Sequence, residues 1–263
     1  IDLQEIQEDV KQVASTNLQS QNRKDKMVQI VPDVGGFTHQ QLMCYAEAVK
    51  EKCELTSSDC VYITSADEAG FWEKLWIPAL VNGATLRIAH QDDAFLGKSN
   101  DTGKTIFIHK GSQLDEHTKR ILTSLQEVDL LKLIVLDAEV LLYQHLAQWK
   151  EFLPSGSRLL RTFSMKKVPM LITAHEAFDR ERADLQKVPL GYPIGFFQPE
   201  IVDDQRQPVP VGVAGNLYLT WGHVDKQFAY ATRELTRFLP EGELEYIGNT
   251  DNQARRNNHR IYT

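Results

Sequence analysis

The residues whose types and spacing could do chemistry start with Ser-Asn-Asp-Thr-Gly-Lys-Thr at 99–105, which invites a phosphate-binding loop. Such a loop needs four residues between its first glycine and the Gly-Lys pair, so that backbone N–H groups can curl around the phosphates. Counting back from Gly103 puts Lys98 where that glycine belongs, and Gly97 comes one residue too early. The segment therefore reads as a polar surface turn. Zinc chemistry fares no better, because His175-Glu176 is not followed by a histidine at metalloprotease spacing and the eight histidines are scattered. No serine sits in a Gly-x-Ser-x-Gly elbow. Cys44, Cys53 and Cys60 lack metal-type pairing, and nothing local would activate a thiolate, so they read as reduced, partly buried thiols. No catalytic residue and no metal ligand is assigned from local motifs.

Composition narrows the function classes. The 263 residues suffice for one large domain or two subdomains, and 42% hydrophobic with 25% charged residues is ordinary for a globular chain. A net charge of −7 argues against broad attraction to nucleic acid or anionic lipid. The short basic cluster Arg255, Arg256 and Arg260 reads as solvated surface. No apolar run approaches the ~20 residues of a membrane span, so neither nucleic acid nor membrane is expected as a partner. The opening IDLQEIQEDVKQ is polar, unlike a signal peptide, and with the cysteine usage it implies a cytoplasmic setting. Starting at Ile1, the chain reads as a piece of a longer polypeptide or one trimmed to its ordered residues.

The elements that must position any site follow from periodicity. Residues 1–26 form a polar segment with Leu3, Ile6, Val10 and Val13 at helical spacing, ending in the linker-like QSQNRKDK stretch at 19–26. Residues 28–34 are β-like. Residues 38–52 form a helix with Leu42, Tyr45, Ala46 and Val49 on one face. CVYIT at 60–64 is a buried strand, 69–80 a helix, and GATLRIA at 83–89 a strand. Ser112 is the expected cap of a helix with Asp115 and Glu116 in its first turn and Leu114, Ile121, Leu122 and Leu125 buried. LKLIVL at 131–136 is a buried strand, and a helix runs over 139–152. Strands alternating with helices imply an α/β class, a layered, mixed or parallel sheet with flanking helices. After about residue 190 proline and glycine become frequent, and DDQRQP at 203–208 reads as a hairpin turn, so a smaller β-rich, barrel-like subdomain follows. The expected division is 1–26, 27–190 and 191–263.

Several strings in order carry a resemblance: GFTHQQL at 36–42, LTSSDCVYITSADEAGFWEKLWIPALVNGATLRIA at 55–89, LKLIVLDAEVL at 131–141, PIGFFQPEIVDDQRQPVPVGVAGNLYLT at 193–220, and ELEYIGNTDNQARRNNHRI at 243–261. Together they resemble the adenylation domains of nonribosomal peptide synthetases, which activate a carboxylic acid with ATP. The resemblance spans roughly residues 27–261 and lacks the family's first lobe and its small lysine-bearing C-terminal lobe.

The resemblance also shows what is missing. The family cradles ATP phosphates with a Ser/Thr/Gly-rich loop ending in Pro-Lys-Gly; here MVQIVPDVGGFTH at 27–39 has no lysine and adds Asp33. The family's Tyr-Gly-Pro-Thr-Glu turn, whose glutamate helps hold magnesium, corresponds to LLRTFSMKKVPM at 159–170, which has no acidic residue. Its ribose-binding Tyr-x-Thr-Gly-Asp segment is deleted around AYATRELTRFLPEGE. The family's amine-binding aspartate falls on Glu68, with Phe71 and Trp72 as vestigial pocket residues, although Phe71, Trp72 and Trp76 also suit a core. Asp251 matches the family's hinge aspartate. The reading is a catalytically inactive pseudo-adenylation domain that needs no cofactor and serves neighbouring condensation, tailoring or carrier domains as a structural or docking element. The alternative is a working or split acyl-adenylating enzyme that uses ATP and magnesium.

Overall fold

A computed structural model describes residues 27–31, 35–63, 73–88, 103–127, 129–165, 167–168, 170–178, 186–223, 226–249, 253–256 and 259–262. The expected helix within 1–26 lies outside the described residues. The chain enters through a hairpin of β1 (Met27–Val31) and β2 (Gly35–Thr38), paired antiparallel. Helix α1 (His39–Cys53) starts where the sequence places it, because Thr38 and Gln41 form a reciprocal capping box. The Gln41 N–H donates to Thr38 Oγ1 at 3.2 Å and the Thr38 N–H donates to Gln41 Oε1 at 2.9 Å. Tyr45, Ala46, Val49 and Cys53 form the buried face of α1, with Leu42 packed at its rim.

The main sheet contains β3 (Cys60–Ile63), β4 (Thr85–Ile88), β5 (Thr105–Lys110), β6 (Leu131–Asp137), β7 (Arg158–Ser164), β8 (Leu171–Glu176) and β9 (Tyr192–Pro193), in the order β4-β3-β5-β6-β7-β8-β9. The first five of these pair parallel, whereas β8 and β9 add antiparallel, so the sheet is mixed. Helices α2 (Glu73–Val81), α3 (Glu116–Glu127) and α4 (Tyr143–Lys150) supply the crossovers and the flanking layers.

Period-2 alternation sends the strand residues into two cores. Val61, Ile63, Ile106, Ile108, Leu133 and Val135 join Tyr45 and Val49 of α1 and Leu75 and Ala79 of α2. Tyr62, Phe107, Ile134 and Leu136 face the other way, onto Ile121, Leu122 and Leu125 of α3 and Leu146 and Trp149 of α4. A second, four-stranded antiparallel sheet follows: β10 (Gln198–Val202), β11 (Gly215–His223), β12 (Lys226–Phe238) and β13 (Leu244–Asn249). Its Leu217, Leu219, Trp221, Leu244 and Tyr246 close the first core, and Trp221 stacks on Phe37 at 5.5 Å. A last hairpin pairs β14 (Gln253–Arg256) with β15 (His259–Tyr262).

Two boundaries differ from the sequence expectation. Asp115, not Ser112, caps α3, since its Oδ1 accepts the Thr118 N–H at 2.7 Å. The Ser112 carbonyl is used instead by Trp149 Nε1–H at 3.2 Å. The helix expected over 139–152 shortens to α4, because residues 141–142 pair with the incoming segment at 187–188.

Candidate functional site

Ligands of open α/β sheets bind outside the carboxyl ends of the strands. In this chain β6 ends on Asp137 and β7 on Ser164, and these two ends are neighbours in the parallel ladder. There the Ser164 hydroxyl donates to Asp137 Oδ2 at 2.5 Å and Thr162 Oγ1 donates to Asp137 Oδ1 at 3.3 Å. Lys74, in the first turn of α2, donates from Nζ to Ser164 Oγ at 2.5 Å. Asp137 is 4% exposed and Lys74 only 3%, so an ammonium and a carboxylate are buried on either side of one hydroxyl. Burying either charge alone would cost several kcal/mol, so the two are kept together.

The surroundings hold this group in place. Tyr45 donates its hydroxyl to the Lys74 carbonyl at 2.6 Å and accepts the Leu171 N–H at 2.9 Å, fixing α1, α2 and β8 together. Burial pushes that phenol well above its ordinary range. Arg161, fully buried on β7, donates to the Ala138 and Glu139 carbonyls at 3.1 and 3.0 Å and to the Pro189 carbonyl at 2.7 Å. It thereby clamps the turn that presents Asp137. Burial lowers its guanidinium to about 9, which still leaves it protonated at neutral pH. Tyr246 of β13 donates to Glu139 Oε1 at 2.7 Å, tying the second sheet to the same turn.

The candidates raised from the sequence fall elsewhere. Glu68, Phe71, Trp72 and Asp251 lie outside the described residues. Trp76 is half-buried on α2. Gly103 and Lys104 precede β5, at the amino ends of the strands, and Lys104 Nζ donates to the Asp129 carbonyl at 2.6 Å. A phosphate loop follows its strand, so this turn faces the wrong way. His175 and Glu176 point apart on β8: His175 Nδ1 lies 2.7 Å from Glu243 Oε1, and Glu176 pairs with Arg158. Cys53 and Cys60 are buried and Cys44 is exposed, with no disulfide among them. Burial pushes the Cys53 thiol up to about 12, leaving it inert at neutral pH.

The described residues contain no group of three His, Cys, Asp or Glu side chains placed to hold a metal. Local motifs missed Lys74, Asp137 and Ser164. A signal for Asp137 existed: an aspartate that ends a continuous apolar run, LKLIVLD, marks the carboxyl end of a buried parallel strand.

Two buried imidazoles give this region a pH response. Burial holds His109 and His175 below their ordinary 6.5, against the opposing pull of Asp115 on the first and Glu243 on the second; Arg161 reinforces the lowering at His175 and Glu176 opposes it. Below that pH the unfolded chain takes up protons that the folded chain refuses. The stability they permit is present above 6.5 and is lost as pH falls. The free energy of unfolding in urea should therefore drop between about pH 7 and pH 5, by at most about 1.4 kcal/mol per histidine per pH unit, and the midpoint with it. His175→Gln should flatten the slope; a midpoint unchanged over this range would contradict it.

Known proteins similar to this chain were found by sequence and by fold. No family model matches. A linear gramicidin synthase of Brevibacillus parabrevis is 36% identical over 88 residues, covering 25% of this chain and 1% of that protein. Enterobactin synthase component F of Escherichia coli (strain K12) is 28% identical over 162 residues, covering 53% of this chain and 12% of that protein. Chondramide synthase cmdD of Chondromyces crocatus is 30% identical over 126 residues, covering 38% of this chain and 3% of that protein. The chain thus spans only a small part of these relatives. Among solved structures, that of IdnL1 matches with a TM-score of 0.70 and 17% identity, covering 94% of this chain and 57% of its own. That of CmiS6 matches at 0.67 and 19%, covering 84% and 60%. Among the described residues no helix is long and apolar enough to cross a membrane.

Proposed function

We propose that this chain, an adenylation-like fold whose relatives are nonribosomal peptide synthetases, is a non-catalytic structural and docking element of such an assembly line. The observation that carries the reading is the closed state of the strand-end site. The Asp137 carboxylate receives the Ser164 and Thr162 hydroxyls, and the ammonium of Lys74 stands behind Ser164. A magnesium ion needs several oxygens in near-octahedral array and gives up its waters reluctantly. One buried carboxylate already engaged by two hydroxyls offers little of that.

Two further features support the reading. Residues 159–170, which the resemblance aligns with a metal-holding turn, contain no carboxylate, and 159–164 of them lie within β7, which pairs antiparallel with β8. Gly35 and Gly36 lie in the extended ladder of β2 opposite Val31 and Ile30, not in a concave turn of converging N–H groups. Catalysis of acyl-phosphate chemistry rests on charge stabilisation, and the strand-end site among the described residues offers little with which to supply it. Two apolar cores pack among the described residues, which is what a docking or spacing element requires. Neighbouring condensation, tailoring or carrier domains are the proposed partners, since the relatives are far longer than this segment.

Pyrophosphate exchange with a panel of amino, hydroxy and keto acids tests the reading. No exchange above background is expected. ATP-dependent exchange by this chain alone would sink it and would favour a working ligase that binds ATP and magnesium.

A further inference from the structure

We propose that Lys74 is a built-in counter-ion that closes the strand-end site from inside, its ammonium filling the place that a small primary ammonium would take against Ser164 and Asp137. The inference deepens the non-catalytic reading and rests on it, since it states what keeps that same site shut. Three observations carry it. First, Lys74 is 3% exposed although lysine is almost never fully buried without a partner. Second, its Nζ donates to Ser164 Oγ, whose own proton goes to Asp137 Oδ2, so cation, hydroxyl and carboxylate form one continuous path. Third, the two ends of the path stand on different elements, α2 and β6, so the pair exists only in the assembled fold and is no local surface accident.

The chemistry selects the class of ion. An ammonium donates directional N–H bonds, which Ser164 Oγ accepts at 2.5 Å. A hard divalent cation would need a ring of oxygens, and no cluster of three acidic or imidazole side chains stands among the described residues. Cutting Lys74 back to alanine removes the equivalent of n-propylammonium and leaves a void of that shape beside a buried carboxylate.

The test is thermal unfolding of Lys74→Ala in about 50 mM n-propylammonium chloride, tetramethylammonium chloride or magnesium chloride, at matched ionic strength. Lys74→Ala should melt below the unaltered chain. n-Propylammonium should raise its Tm by about 2–4 °C more than it raises that of the unaltered chain. Tetramethylammonium, which has no N–H, and magnesium should do nothing extra. An equal response to propylammonium and tetramethylammonium, or rescue by magnesium, would overturn the proposal. Should Lys74→Ala fail to fold, Lys74→Ala/Asp137→Asn removes both charges and is expected to fold without responding to propylammonium. A double variant that stays unfolded, or that still responds, would also overturn it. Nucleotide binding by the unaltered chain is measured separately. If rescue fails while that chain still ignores nucleotide, only the counter-ion idea falls.

Discussion

Arg161→Met is expected to lower the free energy of unfolding by about 4 kcal/mol. Methionine fills most of the volume, so a simple cavity contributes little. The loss comes from hydrogen bonds. Arg161 is fully buried and donates to the carbonyls of Ala138, Glu139 and Pro189. Ala138 and Pro189 are buried, and each of their carbonyls that loses the guanidinium costs about 1–3 kcal/mol, with the half-buried Glu139 carbonyl adding less. Against this stands the relief of no longer burying a cation, whose cost shows in the lowering of the guanidinium to about 9. The two oppose each other, and the carbonyls win because backbone groups cannot move to water from under a packed sheet. Urea unfolding measures the balance. A Met variant as stable as the parent would show that relief of charge burial dominates and that the clamp on the Asp137 turn is dispensable.

Gly191→Ala is expected to cost about 3 kcal/mol or more, for a different reason. Gly191 has φ +89, a region that L side chains rarely adopt. A methyl group there would lie 2.0 Å from the Ala174 carbonyl oxygen and 2.7 Å from the His175 nitrogen. Those atoms belong to β8, which is held on one side by β7 and on the other by β9, so the strand cannot step aside. Gly191 also joins the two sheets: its carbonyl accepts the Leu244 N–H at 2.9 Å, and the Leu190 N–H donates to the Leu244 carbonyl at 2.6 Å. The substitution should therefore lower the unfolding midpoint and expose Trp221 and Tyr246, which lie between the sheets. Hydrogen exchange at Leu244 reads this directly. Unchanged protection there would contradict the assignment of Gly191 as the tight joint.

How far the fold is legible in the sequence depends on where the apolar residues stand. Helix α1 is legible nearly to the residue, because Thr38 and Gln41 cap it and Tyr45, Ala46 and Val49 keep its stripe. Strands β3 and β6 show as continuous apolar runs, as fully buried parallel strands require. Strands β7, β8 and β12 do not show as strands. Their buried positions carry polar side chains: Arg161 and Thr162 in β7, Thr173 and His175 in β8, and Thr232, Glu234 and Thr236 in β12. Hydrophobic alternation fails where the inward face is polar and satisfied by hydrogen bonds such as Thr173 to the Leu190 carbonyl and Thr232 to the Leu217 carbonyl. The short strand β5 is masked by the Gly-Lys-Thr that opens it, which imitates a phosphate loop.

The site is less legible than the fold, since its members lie 27 to 90 residues apart and meet only when α2, β6 and β7 are assembled. The resemblance draws attention to 27–39 and 159–170, but it does not point to Lys74. A lysine that follows Glu73 on a helix looks like surface from sequence alone. Its burial is a product of α2 lying against the strand ends.

Isothermal titration of the unaltered chain with ATP and magnesium tests the central claim most directly. The account predicts no saturable heat up to millimolar nucleotide. A dissociation constant below about 1 mM, equivalent to roughly 4 kcal/mol of binding energy, would contradict it.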